Sequence, residues 1–149
     1  MSINEDFEEI LNMSHYWNWL PDWSLVQKIY NSYPDSYSIL TPFAYSYLEE
    51  CIRSTTSEYG REIVDENGNE KYRRVGIRLV KLAIKENNDK DYLLLLQEIL
   101  NYFEPSKYND EGNNRNGVGH GYLHPSFWSK ESFEKLIHDI ARISQYTKF

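Results

Sequence analysis

Arg115 and His120 stand in the run Asn113-Asn114-Arg115-Asn116-Gly117-Val118-Gly119-His120-Gly121-Tyr122. An arginine brings a charge that does not titrate and a planar fork of donors that fits phosphate oxygens. A histidine gains and loses its proton near neutral pH. Together they are a minimal set for cleaving a phosphodiester without a metal: one side chain stabilises charge on a crowded phosphate, the other moves a proton. The surroundings are unusual for so ordinary a composition. Gly112, Gly117, Gly119 and Gly121, four of the chain's seven glycines, fall between Pro105 and Pro125 with four asparagines. Such a segment lets backbone approach a ligand closely, and loops of this kind often carry function. It equally suits a solvated connector between two helices, and residue types alone leave both readings open.

Other constellations are weaker. His120 and His124 have the i, i+4 spacing of a helical metal pair, but Pro125 follows directly and no glutamate is placed as in His-Glu-x-x-His. No metal or other cofactor is therefore expected. Gly117-x-Gly119-x-Gly121 lacks both the preceding strand and the following Lys-Ser/Thr of a phosphate loop. Neither a Gly-x-Ser-x-Gly motif nor a Cys-His arrangement is present to suggest covalent catalysis. The single cysteine, Cys51, cannot form an internal disulfide and lies in an apolar helical pattern, where a small buried residue fits. His15 and His138 read as structural.

Arg115, Asn116 and His120, with Tyr122 two residues on, resemble the Arg-polar-(three to five)-His signature of the HEPN superfamily, small α-helical domains of which many are metal-independent ribonucleases. The Arg-x4-His-x-Tyr form is similar to that of HEPN toxins paired with a nucleotidyltransferase antitoxin, in which the tyrosine is modified. The resemblance covers about ten residues; the rest agrees as helical pattern. It implies an endoribonuclease, as a toxin or phage-defence effector, with Arg115, His120 and Asn116 catalytic and Tyr122 lining the site. RNA would be the substrate, transesterification to a 2′,3′-cyclic phosphate the reaction, and no cofactor would take part. One histidine cannot make both proton transfers at once, and the family's arrangement implies a homodimer with two motifs facing one groove. The alternatives are a HEPN-like domain that binds nucleotide, RNA or a protein partner without catalysis, and a helical structural protein with a chance motif. The glycines are a departure from the family. Gly117 and Gly119 each disfavour helix by about 1 kcal/mol, and five residues of regular helix leave Arg115 and His120 about 140° apart around the axis. The expectation is that a tight turn, not a regular helix, brings them together.

The rest of the chain reads as helices. Apolar spacing is helical nearly throughout, and predicts an all-α, up-and-down bundle of four to five helices forming a single domain over residues 1–149. Helices are predicted over about 5–19, with Phe7, Ile10, Leu11 and Ser14 on one face, and over 24–31. Thr41-Pro42 reads as an N-cap and first-turn proline for a helix to about Thr55 bearing Phe43, Tyr47, Leu48, Cys51 and Ile52. Tyr72–Glu86 is predicted amphipathic, with Val75, Leu79 and Leu82 inward. Asp91–Phe103 would turn Leu94, Leu95, Ile99 and Tyr102 inward. Ser129 would cap a last helix carrying Phe133, Leu136, Ile137, Ile140 and Ile143. Trp17, Trp19 and Trp23 cluster around Pro21, as a lid over the core or a subunit contact.

Charge is distributed unevenly. Residues 1–50 hold one basic and eight acidic residues; the other 99 hold 15 of each, so the net −7 is an N-terminal property. That total argues against indiscriminate nucleic-acid binding. Yet Lys71 to Lys85 contains six basic residues and no acid. Arg74, Arg78, Lys81 and Lys85 fall at i, i+4, i+7, i+11, a stripe that could meet an RNA backbone or simply face solvent. Four leucines in a row, Leu93 to Leu96, fall far short of the ~20 apolar residues a membrane helix needs. Acids Glu5, Asp6, Glu8 and Glu9 stand where a signal peptide carries positive charge. A cytoplasmic protein with no membrane partner is expected.

Overall fold

The structure, a computed structural model, describes residues 2–14, 18–60, 64–70, 72–105, 110–121 and 124–149. The helical spacing is realised as an all-α bundle. Among the described residues seven α-helices form, and the nearest approach to a sheet is one isolated antiparallel bridge between Val64 and Glu70.

Helix α1 (Ile3–Met13) starts at a capping box in which the Ser2 hydroxyl accepts from the Glu5 N–H at 3.3 Å. The Glu5 carboxylate in turn accepts from the Ser2 N–H at 2.7 Å. It ends at Met13 rather than near Trp19, and Leu20-Pro21 opens α2 (Leu20–Ser32), four residues earlier than expected at Ser24. A proline in the first turn sacrifices no helical hydrogen bond, which is why Pro21 begins the helix instead of breaking it. A 3-10 turn at Pro34–Ser36 leads into α3 (Tyr37–Arg53). Thr41-Pro42 is therefore not the start of α3. Pro42 sits inside it, where it removes the donor owed to the Ser38 carbonyl, while the Thr41 hydroxyl donates to Tyr37 O at 2.7 Å.

Helix α4 (Ile77–Glu86) is shorter than the predicted Tyr72–Glu86, because Gly76 adopts a non-helical conformation and stops the helix there. Val75 is consequently exposed instead of inward. Asp89 caps α5 (Lys90–Ile99), which a 3-10 turn at Leu100–Phe103 extends. Leu94, expected inward, is 65% exposed; Leu95, Leu96 and Ile99 take the core-facing positions. A short helix α6 (Arg115–His120) lies where a loop was expected, and Ser129 caps α7 (Lys130–Ser144).

Helix α7 is the spine. It packs along α1 on one side and α3 on the other, α2 covers α1, and α4 stands between α3 and α5. Phe133, Leu136, Ile137 and Ile140 from α7 meet Phe7 and Ile10 from α1 and Leu48 and Ile52 from α3, all fully buried. At such positions a Leu→Ala change typically costs 2–5 kcal/mol. The tryptophan region is core. Trp23 is fully buried and meets Tyr47 and Phe43 edge-on, and Trp19 meets Tyr47 at 5.0 Å between centroids. Trp17, with His15 in the same stretch, lies outside the described residues. His138 binds buried Asp6 through Nδ1 at 3.0 Å and so ties α7 to α1, the structural role expected of it. No helix among the described residues is long and apolar enough to cross a membrane.

Candidate active site

The motif sits on α6, six residues long, with Arg115 at its first position and His120 at its last. Two glycines inside so short a helix would leave it unstable alone. Its ends are what hold it. Buried Asn114 caps it: Oδ1 accepts from the Gly117 N–H at 2.9 Å while Nδ2 donates to Glu104 O at 2.8 Å. At the other end Gly121 takes a left-handed φ of 64°, and its N–H closes on Gly117 O at 3.0 Å. The approach to α6 is anchored as well. Gly112, at φ 84°, passes so close to Trp128 that a Cβ would stand 3.1 Å from the tryptophan Cβ. Its carbonyl accepts from the Tyr45 hydroxyl at 2.8 Å. Burial, with the Asp110 charge adding to it, pushes the Tyr45 phenol up, so it stays protonated and remains a donor.

Arg115 does not point into open solvent. Its Nε donates to Glu49 Oε2 at 3.0 Å and its Nη2 to Glu49 Oε1 at 3.4 Å. Asn116 Oδ1 takes Nη1 at 3.2 Å, and Asn116 Nδ2 faces the carbonyls of Phe103 and Glu104 at 3.4 and 3.3 Å. Asn116 thus steadies the arginine against the chain leaving α5. Glu49, buried on α3, also accepts the Gly76 N–H at 2.7 Å. The guanidinium is therefore held in one orientation, with the arginine side chain still 30% exposed.

Arg115 and His120 border one cleft of about 520 Å³ between α3 and α6. Helix α3 contributes Pro42, Tyr45, Ser46 and Glu49; α6 contributes Arg115, Asn116, Val118, Gly119 and His120. The tight turn expected for this run is corrected: the run is a short helix. Both flank the cleft from a helix, because the long arginine reaches across to α3 while Gly119 leaves the wall between them bare. A Cβ at Gly119 would meet no heavy atom within 4 Å.

Among the described residues, the others singled out from the sequence do not line this cleft. Tyr122 lies outside the described residues. Arg78, Lys81 and Lys85 are exposed along α4, but Arg74 precedes that helix, so the four-residue helical stripe is a three-residue one. Arg74 instead binds Glu58 through Nη1 at 2.6 Å. His124 caps the 3-10 turn at Pro125–Phe127, and among the described residues no group of three or more His, Cys, Asp or Glu could hold a metal ion. Cys51 is fully buried and desolvation pushes its thiol up, away from reactivity.

Glu49 is the residue that sequence reasoning missed. No local pattern marks it, because the groups it binds, the Gly76 N–H and Arg115, are distant in sequence. Chemically the cleft offers a fixed cation, an imidazole at the far end of the same helix, the Ser46 hydroxyl, and a carboxylate that orients the cation. Protein-family models, curated proteins and solved structures were all compared with the chain, and none matches.

Proposed function

We propose that this chain is a metal-independent endoribonuclease of the HEPN type, with the α3–α6 cleft as its active site. What supports the reading is one observation: Arg115 and His120, at opposite ends of α6, border the same cleft. Arg115 uses Nε and one N–H on each Nη for Glu49 and Asn116, which leaves a second N–H on each Nη for phosphate oxygens. In the reaction the ribose 2′-oxygen attacks the adjacent phosphorus and the bond to the 5′-oxygen breaks. His120 takes the 2′-hydroxyl proton, and the departing 5′-oxygen receives a proton from His120 of the partner subunit in a homodimer. The products are a 2′,3′-cyclic phosphate and a 5′-hydroxyl. Arg115 stabilises the charge on the phosphorane, and Asn116 keeps the guanidinium in place. Arg78, Lys81, Lys85 and Arg74 lie outside the cleft and would meet the RNA backbone beyond the reacting bond.

A specific feature favours the second reading, a helical domain that binds without cleaving: Glu49 places a carboxylate in the cleft and already occupies the arginine. The test that separates them is incubation of the pure protein with mixed RNA in EDTA, beside an Arg115→Ala, His120→Ala double variant. Cleavage by the wild type alone, leaving cyclic-phosphate ends, is expected. RNA left intact by a folded wild type would overturn the nuclease reading and leave binding. Light scattering should show a dimer, and a strict monomer at micromolar concentration would remove the two-histidine mechanism.

A further inference from the structure

Between the bridge at Val64–Glu70 and α4 the chain runs as a strap over 72–75, pinned by α3 and by Glu58 in the turns that follow it. Arg74 N–H donates to Glu58 Oε2 at 3.1 Å, and Arg74 O accepts from Arg53 Nη2 at 2.9 Å. Gly76 N–H donates to Glu49 Oε1 at 2.7 Å. With the backbone of Arg74 and Gly76 fastened inward, the side chains between them are displayed. Tyr72 is 98% exposed and Val75 49%. A hollow of about 120 Å³ forms there, lined by Tyr72, Arg73, Arg74, Val75 and Arg78.

An aromatic ring with essentially its whole surface in water gains nothing for folding, and it stands inside a segment with six basic residues and no acid. Buried Glu58 is consumed by Arg74. Arg78 and Lys81, one helical turn apart on α4, extend the positive charge along the same side. Aromatic faces beside basic side chains are the recognition elements for single-stranded nucleic acid, in which bases are free to stack and the phosphates track charge. A duplex hides its base faces and offers only its backbone.

We infer that the strap over 72–75 is a rest for single-stranded RNA: Tyr72 stacks on an unpaired base while Arg78 and Lys81 pair with the neighbouring phosphates. The strap ends at Gly76, which is bonded to Glu49, and Glu49 holds Arg115 in the cleft. Tyr72 is therefore at most about 14 Å of extended chain from the residue that orients the proposed catalytic arginine, a distance a few nucleotides span. The inference rests on the ribonuclease reading for its choice of RNA, and it adds a selectivity: unpaired strands in preference to duplex.

The test is anisotropy of a fluorescein-labelled RNA of about 10 nucleotides, single-stranded or annealed to its complement, titrated with the full chain carrying His120→Ala so that the probe stays intact. Tyr72→Ala should weaken single-strand binding about tenfold, Tyr72→Phe should restore it, and duplex binding should be unchanged by either. Arg78→Gln should lower the slope of log affinity against log salt by about 0.7. Because Tyr72 is 98% exposed and Arg78 is exposed on α4, these variants keep the fold. Single-strand binding that ignores Tyr72→Ala, a duplex that loses as much, or no RNA binding at all would overturn the inference. Tyr72-dependent binding by a wild type that fails to cleave would support the strap while refuting the nuclease reading.

Discussion

Two clefts in this molecule each carry an arginine held by carboxylates, and they differ in what else they hold. Between α5 and α7, Arg142 Nη1 donates to Glu98 at 2.7 Å and to Asp139 at 3.0 Å, beside a hollow of about 310 Å³. Asp139 is buried, and it also accepts from Lys135 at 2.7 Å and from the Tyr102 hydroxyl at 2.5 Å. Burial works to raise the Asp139 carboxyl, but the bonds from Lys135 and Tyr102 and the two cations outweigh it and hold it low. Between α3 and α6, Glu49 has Arg115 and a backbone N–H, and the arginine keeps donors to spare. In the first, three side-chain donors fill the Asp139 carboxylate and fasten α7 to the turn after α5. The second adds a histidine and a bare glycine wall. An arginine beside a carboxylate is thus common to both; the imidazole and the bare glycine wall are what make the α3–α6 cleft the candidate for chemistry.

The contrast can be broken at its structural pole first. Asp139→Ala should cost about 2–3 kcal/mol in chemical denaturation, because it takes the acceptor from the buried Tyr102 hydroxyl and a carboxylate from Lys135 and Arg142. A loss under 1 kcal/mol would show that the network is ornamental. Its folded carboxyl lies below the unfolded value, so its contribution is complete above about pH 4 and disappears as pH falls through the lowered folded value. Asp139→Asn should remove that part of the acid sensitivity, seen as a flatter stability profile below pH 4.

A smaller effect is expected at the other pole. Glu49→Gln should cost about 1–2 kcal/mol, since Arg115 remains part-exposed and water replaces the lost charge. RNA affinity should rise by the same substitution, because a carboxylate leaves the cleft. Unchanged or weaker RNA binding, measured by anisotropy, would mean that no phosphate enters beside Glu49.

The two ends of the glycine-rich run sharpen the difference between anchor and wall. Gly112→Ala should cost about 1–2 kcal/mol, as a Cβ is forced into a left-handed backbone and against Trp128. Gly119→Ala should instead stabilise by about 0.5–1 kcal/mol, since the site is helical and open. Thermal melts of both variants in parallel check the signs, and equal signs would remove the distinction.

Much of the bundle was legible because its signals were periodic. Phe133 to Ile143 on α7, and Leu48 with Ile52 on α3, lie where i, i+3, i+4 spacing puts them. Boundaries were less legible wherever one residue outweighed the pattern. Gly76 cut α4 short, Pro21 opened a helix, and Pro42 was carried inside one because apolar residues on both sides of it, Leu40 and Ala44, are buried. Within the site, Arg115 and His120 were legible as chemistry but their placement was not. Gly117 and Gly119 argue locally for a loop, whereas the Asn114 cap and the Gly121 turn, both tertiary or end effects, make a helix. Glu49 was illegible for a related reason: its partners Gly76 and Arg115 lie 27 and 66 residues away.

The central claim is that Arg115 and His120 serve a reaction and not the fold. It is tested most directly by the RNA cleavage rate of His120→Ala in EDTA, measured at a temperature where its own melt shows it fully folded. The account predicts a fall of about 10²–10⁴-fold with the thermal midpoint unmoved, because His120 is exposed at the end of a short helix. A folded His120→Ala protein that cleaves RNA at the wild-type rate would contradict it.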